Sequence, residues 1–104
     1  MANYLLAYHG GTIPPTPAEQ EAAMAAWGKW FGELGDAVVD GGNPVGAIRT
    51  VSAGKVSDGG GAPPISGYSV LKADSIDAAV KMAQGCPLLA DGGSIEVCET
   101  FDAM

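Results

Sequence analysis

The stretch Gly93–Glu99, near the end of the chain, alternates apolar and polar residues. Such alternation is typical of a strand whose two faces meet different surroundings. A single strand is not stable in water, so the preceding segments must supply neighbouring strands and the helices that cover them. The chain has 104 residues, the length of one domain, and we therefore expect a single domain over residues 1–104.

The composition indicates a folded globular protein, with 47% hydrophobic and 16% charged residues. The net charge is -7 and the chain has only five Lys and Arg residues, which disfavours binding to nucleic acid or to anionic membranes. The N-terminal residues show neither a signal peptide nor a transmembrane helix, and Cys86 and Cys98 lack the spacing of a disulfide framework. We therefore expect a cytoplasmic protein.

Local signals predict six secondary-structure elements. Thr16, Pro17 and Glu19 form a capping box before a helix that should end at Gly35, and Asp74 or Ser75 should cap a second helix. The tryptophans of the first helix recur at helical spacing, which favours core packing over a ligand site. The predicted strands cover residues 4–9, 37–51 (one strand with a bulge at its glycines, or a strand followed by a turn), 67–73 and 93–99, and residues 52–66 should form a loop.

The resulting order β-α-β-β-α-β is typical of the ferredoxin-like α+β arrangement, an antiparallel sheet with both helices on one face. The other face would then be bare. The first strand, Tyr4–His9, is apolar on both sides, so that face needs a cover, and a second copy of the chain provides one. We expect a homodimer that packs sheet to sheet.

Several segments of the chain carry a resemblance to a known family. They are Tyr4-Leu5-Leu6, Trp27–Leu34 with Gly35, Gly67-Tyr68, Ala78-Ala79, Pro87 and Gly93–Val97. In these segments the chain resembles YCII-related proteins of the DGPF-containing branch, which are small bacterial proteins with a dimeric α+β barrel fold. Two positions depart from the family pattern: Asp58-Gly59-Gly60-Gly61 stands in place of Asp-Gly-Pro-Phe, and Cys98 stands where an arginine is common.

The resemblance implies an enzymatic activity through a His–Asp pair in a cleft, and some family members accompany sigma factors. His9, the only histidine, ends the first strand, where its side chain could act as a general acid or base. Asp40, before the glycines at 41–42, is the candidate to orient it. The structural alternatives are a strand-end histidine bonded to a loop carbonyl, and an aspartate that bonds its own backbone in a turn.

Four further residues are candidates for substrate binding. Glu96 should face the dimer cavity if Ile95 and Val97 meet the helices, although an intersubunit hydrogen bond would also explain it. Asn43 could contact a polar substrate or could simply precede a proline in a turn, and Ser66 and Tyr68 are proposed from their positions to line the same cavity as Glu96. One histidine and two distant cysteines provide no ligand spacing for a metal, so we expect neither a metal nor a cofactor.

Three functions fit these observations. The first is a cofactor-independent enzyme acting on a small molecule, with His9 as the acid or base and Asp40 as its partner. The second is a non-catalytic dimer that binds a small ligand or a regulatory protein. The third is a purely structural or interaction module.

Overall fold

The structure, a computed structural model, describes residues 1–61 and 63–103 of an α+β protein. The elements are β1 (Ala2–His9), α1 (Pro17–Leu34), a 3-10 turn (Gly35–Ala37), β2 (Val38–Asp40), β3 (Arg49–Ser52), β4 (Lys55–Asp58), β5 (Ile65–Ala73), α2 (Ile76–Ala83), α3 (Pro87–Ala90) and β6 (Ser94–Glu99). Four strands form an antiparallel sheet in the order β2-β5-β1-β6, and β3 and β4 form a separate two-stranded antiparallel sheet.

Strand β1 lies inside the sheet, between β5 and β6, and its side chains alternate between the two faces. Tyr4, Leu6 and Tyr8 are buried on the face that carries the helices. Leu5 and His9 point to the opposite face, which no helix among the described residues covers. One face of the sheet is therefore buried under the helices. We call the opposite face, to which Leu5 and His9 point, the bare face.

The prediction of helix α1 is confirmed at both ends. The Oγ1 atom of Thr16 accepts a hydrogen bond from the backbone N–H of Glu19 at 3.2 Å, and Pro17 occupies the first helical position. At the other end Gly35 has φ +55°, a conformation that glycine adopts without steric cost. The helix begins and ends where these local signals are.

The core is built around aromatic side chains of α1. Trp30 is buried and its indole N–H donates to the carbonyl of Met82 at 3.0 Å, which fixes α1 against α2. The Trp27 ring meets the rings of Tyr8 and Trp30 edge-on, with centroids 5.2 and 5.7 Å apart. Trp27 is only half-buried, so core packing accounts fully for Trp30 and only partly for Trp27.

The segment from β5 to β6 contains one helix more than predicted. Ser75 caps α2, as expected, by accepting from the N–H of Ala78 at 3.1 Å, and α2 ends at Ala83. Pro87 begins the additional short helix α3, because proline suits the first helical position. Helix α3 contributes the buried Leu88 to the core.

Strand β2 ends early because of the glycines that follow it. Gly42 has φ +74°, and a Cβ atom at this position would lie 1.7 Å from the carbonyl oxygen of Tyr68. The chain therefore leaves regular pairing after Asp40 and meets β5 again only at Pro44, opposite Gly67. Of the two predictions for residues 37–51, the strand followed by a turn is correct.

The loop predicted over residues 52–66 is partly wrong, because it contains strand β4. Ser52 pairs with Lys55, so Ala53 and Gly54 form a two-residue turn, and Gly54 adopts φ +73°. The β3–β4 hairpin is exposed over almost its whole length and makes few contacts with the rest of the fold. The radius of gyration, 15.0 Å, exceeds the ~13 Å of a compact chain of this length.

A buried hydrogen-bond chain joins three parts of the sheet. The Tyr8 hydroxyl donates to Oγ of Ser69 at 2.6 Å, and the Ser69 hydroxyl donates to the carbonyl of Gly41 at 2.7 Å. Burial raises the pKa of Tyr8 to about 12, so its hydroxyl stays protonated and remains a donor. Strands β1 and β5 and the chain after β2 are thereby held together.

No helix within residues 1–61 and 63–103 has the length and apolar character required to cross a membrane.

We predict that Ser69→Ala lowers the free energy of unfolding by about 1–3 kcal/mol, because it leaves a buried phenol donor and a partly buried carbonyl acceptor without their Ser69 partner. Urea unfolding followed by circular dichroism measures the change. Ser52→Ala, on the exposed hairpin, is the matched control and should change the unfolding free energy by less than about 0.5 kcal/mol. Equal stability of the two variants would show that the hydrogen-bond chain contributes nothing.

Candidate functional site

His9 lies at the end of β1 on the bare face, with its side chain 19% exposed. It pairs with Ser94 of β6 on one side and with Ile65 of β5 on the other, where the register shifts after Tyr8. The following glycines, 10 and 11, both adopt positive φ and turn the chain away from the sheet. This strand end holds the imidazole at the edge of the bare face.

Both ring nitrogens of His9 face oxygen acceptors. Nε2 lies 2.6 Å from Oε1 of Glu96, and Nδ1 lies 3.2 Å from the carbonyl oxygen of Pro63. The Glu96 oxygen is close to Nε2 but off the direction of a good hydrogen bond, so this buried nitrogen has no well-aligned partner. A ring protonated on both nitrogens would satisfy both acceptors.

Glu96 faces the side of the sheet that the sequence predicted. Ile95 and Val97 pack against the hydrophobic core, and the alternation along β6 therefore turns Glu96 to the bare face. Glu96 pairs with Ala7, which makes it a diagonal neighbour of His9 on the adjacent strand. Its side chain is 68% exposed, so its contact with His9 adds at most about 1 kcal/mol to stability.

Asp40 does not take the position predicted for it beside His9. Its Oδ1 atom accepts from the backbone N–H of Gly42 at 2.8 Å, which is the turn geometry given above as its structural alternative. Asp40 lies opposite Val70, whereas His9 lies opposite Ile65, and this separation along β5 corresponds to roughly 17 Å. The carboxylate beside His9 is that of Glu96, which the sequence assigned to substrate binding.

The three other predicted site residues lie together in a different place. Asn43, Ser66 and Tyr68 line a cleft of about 1120 Å³, which we call the α1 cleft, and His9 and Glu96 are not among its lining residues. Backbone hydrogen bonds fix this wall, since the N–H of Tyr68 donates to the carbonyl of Asn43 at 3.4 Å and the N–H of Val45 donates to that of Ser66 at 3.0 Å. The structure thus separates the predicted residues into two groups.

A contact that sequence reasoning missed closes one side of the α1 cleft. Asp91 accepts two hydrogen bonds from Thr12: from its backbone N–H to Oδ2 at 2.8 Å and from its hydroxyl to Oδ1 at 2.9 Å. Both bonds hold the pKa of the Asp91 carboxyl below its usual value, and the bond from the backbone N–H of Thr12 has the larger effect. The loop after β1 is thereby attached to the end of α3, a contact between residues too distant in sequence for any local signal.

The two thiols differ in exposure. Cys86 is buried, and burial raises the pKa of its thiol to about 11, so the thiol stays protonated near neutral pH and is a poor nucleophile. Cys98 is exposed and pairs with Leu5 on the bare face. Within the described part of the chain, no three His, Cys, Asp or Glu side chains converge as a metal site would require.

We predict that Glu96→Gln redistributes the ring protons of His9. In the wild type a carboxylate faces Nε2 and favours a proton on that nitrogen, whereas the glutamine amide can donate to it instead. The ¹⁵N chemical shift of Nε2 should therefore move towards that of an unprotonated ring nitrogen.

The matched control for this measurement is Glu99→Gln, which removes the same charge from the far end of β6, opposite Tyr4. It should leave both ring shifts of His9 unchanged. Identical Nε2 shifts in the wild type and in Glu96→Gln would show that Glu96 does not contact His9 in solution.

No protein-family model, no curated protein and no solved structure matches this chain in the comparisons. The resemblance to YCII-related proteins therefore stays a prediction from sequence motifs. The function has to be argued from the geometry of the His9–Glu96 pair and of the α1 cleft.

Proposed function

We propose that the protein is a homodimer that acts on a small molecule by acid–base chemistry, with His9 and Glu96 as the proton-transfer pair. The observation that carries this proposal is the 2.6 Å approach of Nε2 to the Glu96 carboxylate on the bare face of the sheet. An imidazole and a carboxylate in contact can accept a proton from a substrate and return it at another atom. Such chemistry needs neither a metal nor an organic cofactor.

The surroundings of His9 fit this role. The Pro63 carbonyl accepts at Nδ1 and orients the ring, so that the buried Nε2 faces Glu96, and the exposed Glu96 side chain lies where a substrate could reach it. The imidazole is largely shielded from water, whereas the carboxylate is not, so the two groups have different environments. Asp40, the partner that the resemblance implied, has no part in this proposal.

The bare face and the hairpin support a second copy. Leu5, Tyr68 and Val70 are half-buried on a face that no described helix covers. The hairpin exposes 76% of Val51 and 67% of Val56, and an isolated two-stranded hairpin is marginally stable in water. A partner packed on the sheet and reached by the hairpin would cover both surfaces and turn the bare face into a cavity around His9.

The order of the strands supports the ferredoxin-like assignment. With the hairpin set aside, the strands follow the order β2-β5-β1-β6 with antiparallel neighbours, and the helices lie on the other side of the sheet from His9. This is the arrangement from which the dimeric α+β barrel of the YCII-related proteins would be built.

The dimer is tested by sedimentation equilibrium together with thiol alkylation. We expect a mass of twice the 10.4 kDa chain and an alkylation rate of Cys98 that falls as the protein concentration rises, because Cys98 would be covered. Val70→Lys, on the bare face, should give a monomer whose Cys98 reacts at a rate independent of concentration. Ile76→Lys, at the exposed start of α2, is the control and should remain a dimer.

A monomeric wild type in the micromolar range, or a Cys98 rate that does not change with concentration, would rule out this dimer.

The acid–base activity is tested by deuterium exchange. A panel of neutral aldehydes, ketones and lactones is incubated with the protein in D₂O, and the loss of the α-proton signals is followed by NMR. For a compound that exchanges, we expect His9→Gln and Glu96→Gln each to lower the rate roughly 10²-fold, the lower end of a general acid–base contribution. Ser94→Ala, beside His9 on the same face, should retain the rate.

Exchange that survives His9→Gln would contradict the proposed role of His9. A compound that binds to the bare face without exchanging would favour the non-catalytic, ligand-binding dimer.

A further inference from the structure

The α1 cleft lies beside α1, and neither His9 nor Glu96 of the proposed acid–base pair is among its lining residues. Its volume, about 1120 Å³, is slightly above the range of about 300–1,000 Å³ that is usual for small-molecule sites. One wall is α1 with Met24, Trp27 and Phe31, and the opposite wall is the glycine-rich chain at 41–44. Tyr8 contributes a buried surface to the lining. The cleft is thus large, mainly apolar and aromatic.

The aromatic wall is already arranged in the free protein. Trp27 is held edge-on by Tyr8 at 5.2 Å and Trp30 at 5.7 Å, and its ring also lies 6.0 Å from that of Phe31. Trp27 nevertheless remains partly exposed, because its remaining surface borders the cleft. A ligand that stacks there would bind with little loss of side-chain conformational entropy, since the rings already fix one another.

Gly28 keeps the cleft open at the middle of α1. A glycine inside a helix is destabilising relative to alanine, so this residue does not help the helix to form. A Cβ atom added at Gly28 would meet no atom within 4 Å, and Gly28 lines the cleft. Any larger side chain would project into free space and reduce the volume between α1 and the opposite wall.

The charges of the lining exclude most anions. Among the described residues that line the cleft, Asp91 is the only charged one, and both of its oxygens already accept from Thr12. The whole chain has a net charge of -7, which adds to the repulsion of an anion. The polar side chains of Asn43 and Ser66 offer hydrogen-bond donors and acceptors instead.

We propose that the α1 cleft binds a neutral, mainly aromatic small molecule, stacked against Trp27 and Phe31 and carrying a hydrogen-bonding group for Asn43 or Ser66. This site is independent of the acid–base chemistry proposed for His9, because neither His9 nor Glu96 lines the cleft.

Two fluorescent probes with the same aromatic frame test the charge preference. N-phenyl-1-naphthylamine is neutral, and 8-anilinonaphthalene-1-sulfonate adds one sulfonate. We expect the neutral probe to bind saturably, one per chain, and the sulfonate at least about tenfold more weakly. In ¹H–¹⁵N spectra the indole signal of Trp27 should shift on addition of the neutral probe, and that of Trp30, bonded to Met82, should stay in place.

Two glycine variants on one helix locate the site. Gly28→Leu fills the cleft and should weaken binding of the neutral probe at least about tenfold. Gly32→Leu adds the same side chain one turn further along, where a Cβ atom also meets nothing and the residue does not line the cleft, and binding should be retained. Circular dichroism of both variants confirms that α1 is intact.

Equal affinity for the two probes, equal effects of the two glycine variants, or no saturable binding of the neutral probe would each overturn the proposal. Loss of binding in Val70→Lys, whose substitution lies on the bare face, would place the probe between subunits and would equally overturn it.

Discussion

The antiparallel pairing of β1 on both of its edges is the constraint on which the rest of the structure depends. Because successive side chains of a strand point to opposite faces, Tyr8 and His9 are neighbours in sequence but lie on opposite sides of the sheet. Tyr8 is fixed by its hydrogen bond to Ser69 and by the ring of Trp27. A slip of one residue would exchange the buried phenol and the imidazole, and neither the core nor the His9–Glu96 contact would survive it.

The same strand explains why the molecule offers two separate places for chemistry. The helix side supplies an apolar cleft walled by rings and glycine backbone, which suits recognition of a neutral ligand. The bare side supplies an imidazole and a carboxylate in contact, which suits proton transfer. His9 and Glu96 do not line the cleft, so the two proposals rest on different side chains and neither needs the other.

Local signals in the sequence predicted the elements that depend on residues close together in the chain. Thr16 and Ser75 cap α1 and α2 as expected, and the alternation of residues 93–99 predicted both β6 and the face of Glu96. Caps and alternation act over three or four residues, so they can be recognised without knowing the fold. The hairpin was missed because its turn, at Gly54, lies in a segment whose many glycines resemble a flexible loop.

The partner of His9 could not be predicted, because it depends on the register between distant strands. The pairing of His9 with Ser94 brings Glu96 to the imidazole, and the register of β5 takes Asp40 far from it. The α1 cleft was also not foreseen as a site, although three of its residues were proposed from their positions. Its walls come from segments far apart in the sequence, and only the closed fold brings them together.

Two glycines of this chain restrict sequence variation for different physical reasons. At Gly42 the backbone conformation and the carbonyl of Tyr68 leave no volume for even one methyl group, so this position is closed to all other amino acids. At Gly28 the backbone is helical and the space is open, so any restriction there would come from what enters the cleft and not from the fold. A family of related sequences in which both positions are invariant would therefore preserve one for folding and the other for binding.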